Sequence, residues 1–383
     1  MAEKGKRQAN FELLRIVAMC FIITLHFLGH GGILDADDQS AWFVGATQYI
    51  EALSFCAVNI YVLISGYFMS KSRFSWKRLF LTEAQVWIYS IGIYIACCLA
   101  SMLLWHSEPF SIKDMLTRYL LPVTTGQYWF VTSYIILCLI SPFLNLLFYS
   151  VKQQTHKLFI VVLVCLFSLV STVLKGIASY EFLKNDGYTV GWFVVLYAIS
   201  SYFRLYGIPK LKKRSVTVVY LLSAASLPVM KYGLVFLGNH LRGRSIAWWN
   251  LYTYNSIPVL ICSICVFLFF ARIRINSTKC SRIILWLASH SFAVYLIHDH
   301  NSVRDLLWET IHPTRFVNSP LVFLALPITV ISIYLACCLI DQVRAWLFIP
   351  LQRSKRLNAL FAKLDAKTNA MLSPAASPDG SDG

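Results

Sequence analysis

Charge is what this sequence has least of. Only 14% of its 383 residues are Asp, Glu, Lys or Arg, against roughly a quarter in soluble domains. The hydrophobic share is 57% and the mean hydropathy +0.61. One water-facing core cannot hide that much apolar side chain, so a soluble globular domain is excluded. Disorder, a collagen, a coiled coil and a secreted disulfide scaffold are excluded by the same composition. An internal repeat of the kind expected in a transporter built from duplicated halves is also missing. The first apolar run has no small-residue cleavage site, so it is expected to remain as a helix. The 11 cysteines lie mostly inside apolar runs, as in Cys97-Cys98, Cys262-x-x-Cys265 and Cys337-Cys338. No His or carboxylate accompanies these pairs, so they read as packing and no metal is expected.

What is there is a series of apolar stretches near the roughly 20 residues that a membrane helix needs. They cover about 11–29, 48–69, 80–105, 129–150, 158–176, 189–206, 216–237, 251–271, 283–298 and 320–345. The fold class expected is all-α, a polytopic bundle of about ten transmembrane helices. An even count puts both termini on one side, and basic residues collect on the cytoplasmic side. Placing the N-terminus there puts most of the 34 Lys and Arg in inner segments, such as Lys71, Arg73, Lys77 and Arg78, or Arg272, Arg274, Lys279 and Arg282. The net charge of +16 is then a topological signal, and no nucleic-acid partner is expected. Residues 1–350 read as the membrane domain. Residues 351–372 read as a basic amphipathic cytoplasmic helix, with Leu357, Leu360, Phe361 and Leu364 on one face against the inner leaflet. Residues 373–383 read as a disordered tail. Two outer loops, 106–128 and 299–319, read as carrying short amphipathic helices, the first capped at Ser111 and the second with Val303, Leu306, Leu307 and Trp308 on one face.

Ionisable side chains at membrane depth are functional-site candidates by default. The first span carries Glu12, Arg15 and His26. Arg15 and His26 are 11 residues apart, which at about 100° per residue brings them to one face, about 16 Å apart along the axis. Glu12 and Arg15 can pair at i, i+3. The competing readings are a snorkelling anchor for Arg15 and an interhelical hydrogen bond for His26. A neutral histidine in a dry site can act as general base or attack an acyl carbonyl itself. Arg15, Lys77 and Arg78 at the inner mouth suit the phosphates of an anionic donor. Trp42, Tyr128, Trp129, Trp248, Trp249, Asp35 and Asp299 at the outer mouth suit a polyhydroxylated acceptor. The layout fits transmembrane group transfer, and it also fits a transporter of sugars or anions.

Several motifs then resemble a known family. NFELLRIVAMCFIITLHFLGH, with Arg15 and His26, resembles the Arg-x10-His signature of the acyltransferase 3 family. VNIYVLISGYF, ending in Ser65-Gly66, is similar to its second-helix segment, and the SWKRL that follows to its cytoplasmic basic stretch, with Arg78. GQYWFVTSYIILCLISPFLN resembles its Trp-Phe segment. ASHSFAVYLIHD is similar to its late segment, here Ser291, Tyr295, Leu296 and His298. The matches run in family order over about residues 10–345. The resemblance implies an integral-membrane O-acyltransferase that modifies bacterial glycans. It implies transfer of an acyl group, usually acetyl, from cytosolic acetyl-CoA to a hydroxyl of a cell-surface or lipid-linked glycan, in the plasma membrane. His26 and Arg15 are then the expected catalytic pair. Arg15, Arg78 and Lys77 are expected on acyl-CoA, and Trp129, His298, Asp299 and Tyr128 on the acceptor side. The sequence departs from the family at LFLTEAQVW, where a second Arg and a Pro are usual.

Overall fold

The computed structural model describes residues 7–104, 127–174, 186–242 and 251–372, with positions 111, 113 and 115. Most of the expected helix in 106–128, the Trp248-Trp249 pair and the tail 373–383 lie outside the described residues. The described chain is helical, with no strand among the described residues. Helix α1 is Ala9–Leu28, α2 Ala41–Ser54, α3 Ala57–Met69, α4 Trp76–Leu104 and α5 Trp129–Ser150. Helix α6 is Gln153–Val164, followed by a π turn, Cys165–Leu169, and α7, Val170–Leu174. Then come α8 Val190–Tyr206, α9 Lys213–Arg242, α10 Ile257–Ala271, α11 Thr278–His298, α12 Asn301–Ile311 and α13 Val322–Leu347. Two further helices close the described chain, α14 Ile349–Arg353 and α15 Lys355–Met371.

Each of the ten expected apolar segments carries helix, and among the described residues eight helical spans are long and apolar enough to cross a membrane. The other two, α8 with 17 residues and α10 with 15, are shorter apolar helices. At 1.5 Å per residue they reach only about 26 and 22 Å, short of a roughly 30 Å hydrocarbon core. Helix α10 starts at Ile257 rather than near 251 because Ser256 is its N-cap and Pro258 lies in its first turn. The second span is longer than its apolar pattern suggests. It runs over Ala41–Met69 and is interrupted at Phe55 and Cys56.

Helix α1 packs against α2, α3, α10, α11 and α13, so the Arg15–His26 helix is central to the bundle. One buried cluster joins α3, α8 and α10 through side chains such as Leu63, Tyr197 and Phe267. A second joins α1, α11 and α13 through Ile23, Val294 and Tyr334. Gly66 lets α3 and α8 touch: a Cβ there would lie 2.2 Å from Ser200 Oγ. Polar side chains tie the helices where the hydrophobic effect gives little preference between neighbours. Asn59 Nδ2 donates to Tyr254 O at 2.8 Å and to Ser263 Oγ at 3.0 Å, and its Oδ1 accepts from Trp192 Nε1 at 2.9 Å. Asn145 likewise joins Met69 O and the Tyr197 hydroxyl.

The expected helix in 299–319 is present as α12, with Trp308 buried and His300 as its N-cap. The expected helix of 351–372 begins at Lys355, because Ser354 accepts from Leu357 N as its cap. One face of it docks on the start of α4. Asp365 accepts from Trp76 N at 2.7 Å and from Ser75 Oγ at 2.9 Å. Trp76 Nε1 donates to Thr368 Oγ1 at 2.8 Å, and Phe80 and Phe361 meet with ring centroids 5.2 Å apart. Leu360 and Leu364 stay exposed on the other face.

Candidate active site

His26 lies in the last turn of α1 and His298 ends α11, and the two helices pack side by side. His26 Nδ1 is 3.0 Å from His298 Nε2. His298 Nδ1 is 2.5 Å from Val294 O. A carbonyl only accepts, so His298 Nδ1 carries the hydrogen and Nε2 presents a lone pair. His26 Nδ1–H therefore donates to His298, and the lone pair of His26 sits on Nε2. Two helix ends thus fix one tautomer of a ring that lines a cavity of about 670 Å³.

The cavity is walled on one side by aromatic rings. Trp129 stacks on Tyr254 with centroids 5.6 Å apart and lies 4.3 Å from the Tyr188 ring. On the other side stand His30, Asp299 and Arg304. Asp299 Oδ1 is 3.8 Å from His26 Nδ1, 3.9 Å from His30 Nε2 and 3.9 Å from Arg304 Nη1, yet it accepts no hydrogen bond. Burial pushes the Asp299 carboxyl up to about 7, against the pull of the Arg304 guanidinium. Burial, and then the Arg304 charge, lowers His30 below the ordinary imidazole value. His300 is fully buried, with Nε2 3.0 Å from Ser90 O, and burial lowers it to about 4. Two more polar atoms on cavity-lining residues have no hydrogen-bond partner, Tyr295 Oη and Gln127 Nε2. His26, His30 and Asp299 each bring one donor atom within 4.8 Å of the others, the donor types a transition metal takes. The Arg304 guanidinium also stands 3.9 Å from Asp299 Oδ1, and no hydrogen bond joins Asp299 Oδ1 to either histidine.

Of the residues singled out from the sequence, His26, Trp129, Tyr295 and Asp299 line this cavity and His298 supports His26 from behind. Tyr128 does not reach it. Tyr128 is fully buried, and its hydroxyl donates to Leu296 O at 2.9 Å. Arg15, Lys77 and Arg78 lie toward the opposite, basic end of the bundle. Arg15 pairs with buried Glu12 at 3.4 Å, the expected i, i+3 contact. Met19, one turn above Arg15, lines the cavity, as does Tyr61, whose hydroxyl donates to Arg15 O at 2.9 Å. Tyr61 thus stands between the cavity and the Arg15 backbone. Lys77 Nζ bonds Asn358 Oδ1 at 2.5 Å, which commits it to holding α15. Arg78 is exposed. Residues the sequence reading passed over are His30, Gln127 and Arg304. His30 was legible as the i+4 companion of His26, while Gln127 and Arg304 reach the cavity only through tertiary packing.

The described chain is thus a multi-pass helical bundle whose His26 ring, held in one tautomer, lines a polar, ring-walled cavity, an arrangement that suits group transfer. The comparisons narrow this. The sequence profile of the acyltransferase 3 family, described as an acyltransferase domain, matches residues 8–340, nearly the whole chain, and the chain belongs to that family. It is a membrane acyltransferase. No match was found among curated proteins or among solved structures.

Proposed function

We propose that the protein is an O-acyltransferase. It takes an acyl group, acetyl by family resemblance, from cytosolic acetyl-CoA to a hydroxyl of a cell-surface or lipid-linked glycan. It works in the plasma membrane with both termini cytoplasmic. The observation that carries this reading is the His26–His298–Val294 chain, which leaves an unprotonated Nε2 on a ring that faces a cavity large enough for two reacting groups. In this reading His26 Nε2 takes the proton of the acceptor hydroxyl as general base. His298 stabilises the resulting imidazolium by accepting from its Nδ1–H. The role of His298 is then to orient His26 rather than to hold the acceptor.

The ring wall of Trp129, Tyr188 and Tyr254 suits the face of a sugar, and Asp299, with an unused acceptor, suits its hydroxyl groups. Arg15 and Arg78 suit the phosphates of the donor, whose acyl end passes Tyr61 to reach His26. Lys77, tied to Asn358, and Tyr128, tied to Leu296, are left out of these roles. The test is to supply acetyl-labelled acetyl-CoA to membranes containing the protein and to measure label in alkali-labile esters. Wild-type protein is expected to form the ester, and His26→Ala to insert normally and form none. Movement of unmodified glycan without ester label would overturn the reading in favour of transport.

A further inference from the structure

Resting on the acyl-transfer reading above, we infer that the Tyr295 hydroxyl and the Gln127 side-chain amide are the two donors that hold the oxyanion of the tetrahedral intermediate. Three buried polar atoms on residues lining the His26 cavity lack a hydrogen-bond partner, and they divide by chemistry. Asp299 Oδ1 is an acceptor, whereas Tyr295 Oη and Gln127 Nε2 carry hydrogens to give. Buried polar groups are normally paired, so unpaired ones gathered around one cavity point to a ligand that completes them.

Each donor is held in place by neighbours that leave its hydrogen free. Ser90 Oγ donates to Gln127 Oε1 at 3.1 Å, which fixes the amide and turns its NH₂ away from Ser90. The Tyr295 ring is clamped edge-on by Tyr128, with centroids 5.6 Å apart, and by Phe130, at 6.2 Å. Tyr295 also lies one turn before His298 on α11, on the face that presents His298 to His26. An acceptor-only carboxylate cannot stabilise an oxyanion, and a donor that needs no reorganisation does so best.

The acceptor O–H gives its proton to His26 Nε2 while its oxygen bonds to the thioester carbonyl carbon. The carbonyl π electrons move to oxygen, which becomes the oxyanion and accepts from Tyr295 O–H and Gln127 N–H. Re-forming the carbonyl breaks the C–S bond, and the departing thiolate takes the proton back from the His26 imidazolium. Ester and free thiol result, with His26 neutral again.

The experiment compares steady-state ester formation from acetyl-CoA by wild type, Tyr295→Phe and Gln127→Leu, each purified in detergent and checked for a monodisperse size-exclusion peak. Loss of one donor is expected to lower kcat about 10²–10³-fold with KM for donor and acceptor unchanged. Wild-type kcat in both variants overturns the assignment while leaving acyl transfer by His26 intact. Absence of ester from wild type, in contrast, removes the reaction itself. If Tyr295→Phe aggregates, fluorinated tyrosines at position 295 replace it. A kcat that rises with phenol acidity supports the assignment, and a flat response overturns it, because a merely structural tyrosine would not follow donor strength.

Discussion

Two carboxylates in this bundle, Asp299 and Asp341, both meet imidazoles, Asp341 that of His290 on α11 and Asp299 those of His26 and His30 at the end of α1, and they are treated in opposite ways. Asp341 is fully buried and saturated. It accepts from the Tyr89 hydroxyl at 2.6 Å, from His290 Nδ1 at 2.6 Å and from Arg344 at 2.5 and 3.1 Å. Those partners come from α4, α11 and α13, so one carboxylate pins three helices. Asp299 has three basic groups near one oxygen, none closer than 3.8 Å, and that oxygen accepts no hydrogen bond. The difference separates structure from function better than charge or depth does. A carboxylate whose lone pairs are all used has nothing left for a ligand, while one left unsatisfied beside a cavity keeps its capacity for a substrate.

The widest test of the contrast is to break each member. Asp341→Ala strands Arg344 and the Tyr89 hydroxyl in a buried site, and removing one partner of a buried ion pair costs about 3–5 kcal/mol. A large drop in melting temperature in detergent is expected, with ester formation per folded molecule retained. Asp299→Asn is expected to do the reverse, leaving the melt unchanged or raised and weakening the acceptor. If Asp341→Ala melted like wild type, or if Asp299→Asn unfolded the protein, the division would fail. His26→Ala belongs with the functional member, and its loss of ester is the largest activity effect expected of any change named here.

Arg15 tests a second contrast, between the two ends of α1. His26 sits at the cavity and Arg15 is paired with Glu12 about three turns away. Replacing Arg15 with Gln removes one charge-assisted contact to a phosphate, worth about 1.5–3 kcal/mol. The expected outcome is a KM for acyl-CoA raised about 10- to 100-fold with KM for the acceptor unchanged. A change confined to the acceptor KM would place Arg15 in the His26 system instead.

Much of this was readable from the residues alone because membranes impose simple rules. Each of the ten apolar runs carries helix, and the first run places Arg15 and His26 on one helix, as their 11-residue spacing requires. What the sequence could not supply was pairing between distant segments. His26 and His298 are 272 positions apart, and only the packing of α1 on α11 turns two isolated histidines into a chain with a defined tautomer. The same holds for Lys77 and Tyr128. Each had the right chemistry for a ligand, and each is spent on a neighbour, Asn358 and Leu296, that no local pattern reveals. The interruption of the second span at Phe55 and Cys56 was likewise hidden, since an unbroken apolar run carries no mark of it.

The smallest expected effect is the pH dependence of the cavity, and it isolates Asp299. Among the nearby groups outside the spans, burial lowers His30 and His300, the latter to about 4, whereas it raises the Asp299 carboxyl to about 7. Below that value it is neutral, and above it the charged oxygen accepts from a sugar hydroxyl more strongly. KM for the acceptor is expected to fall severalfold as pH rises through about 7, and to be flat in Asp299→Asn. Arg304→Gln removes the charge that favours ionisation and should move the midpoint upward. The stability consequence has the opposite sign. Because folding raises this carboxyl from its ordinary value, ionising it costs folding free energy, and that cost grows as pH climbs from about 4 toward 7. A melting temperature that falls with pH over that window in wild type, and less so in Asp299→Asn, would show one group weakening the fold by the same ionisation that equips the cavity.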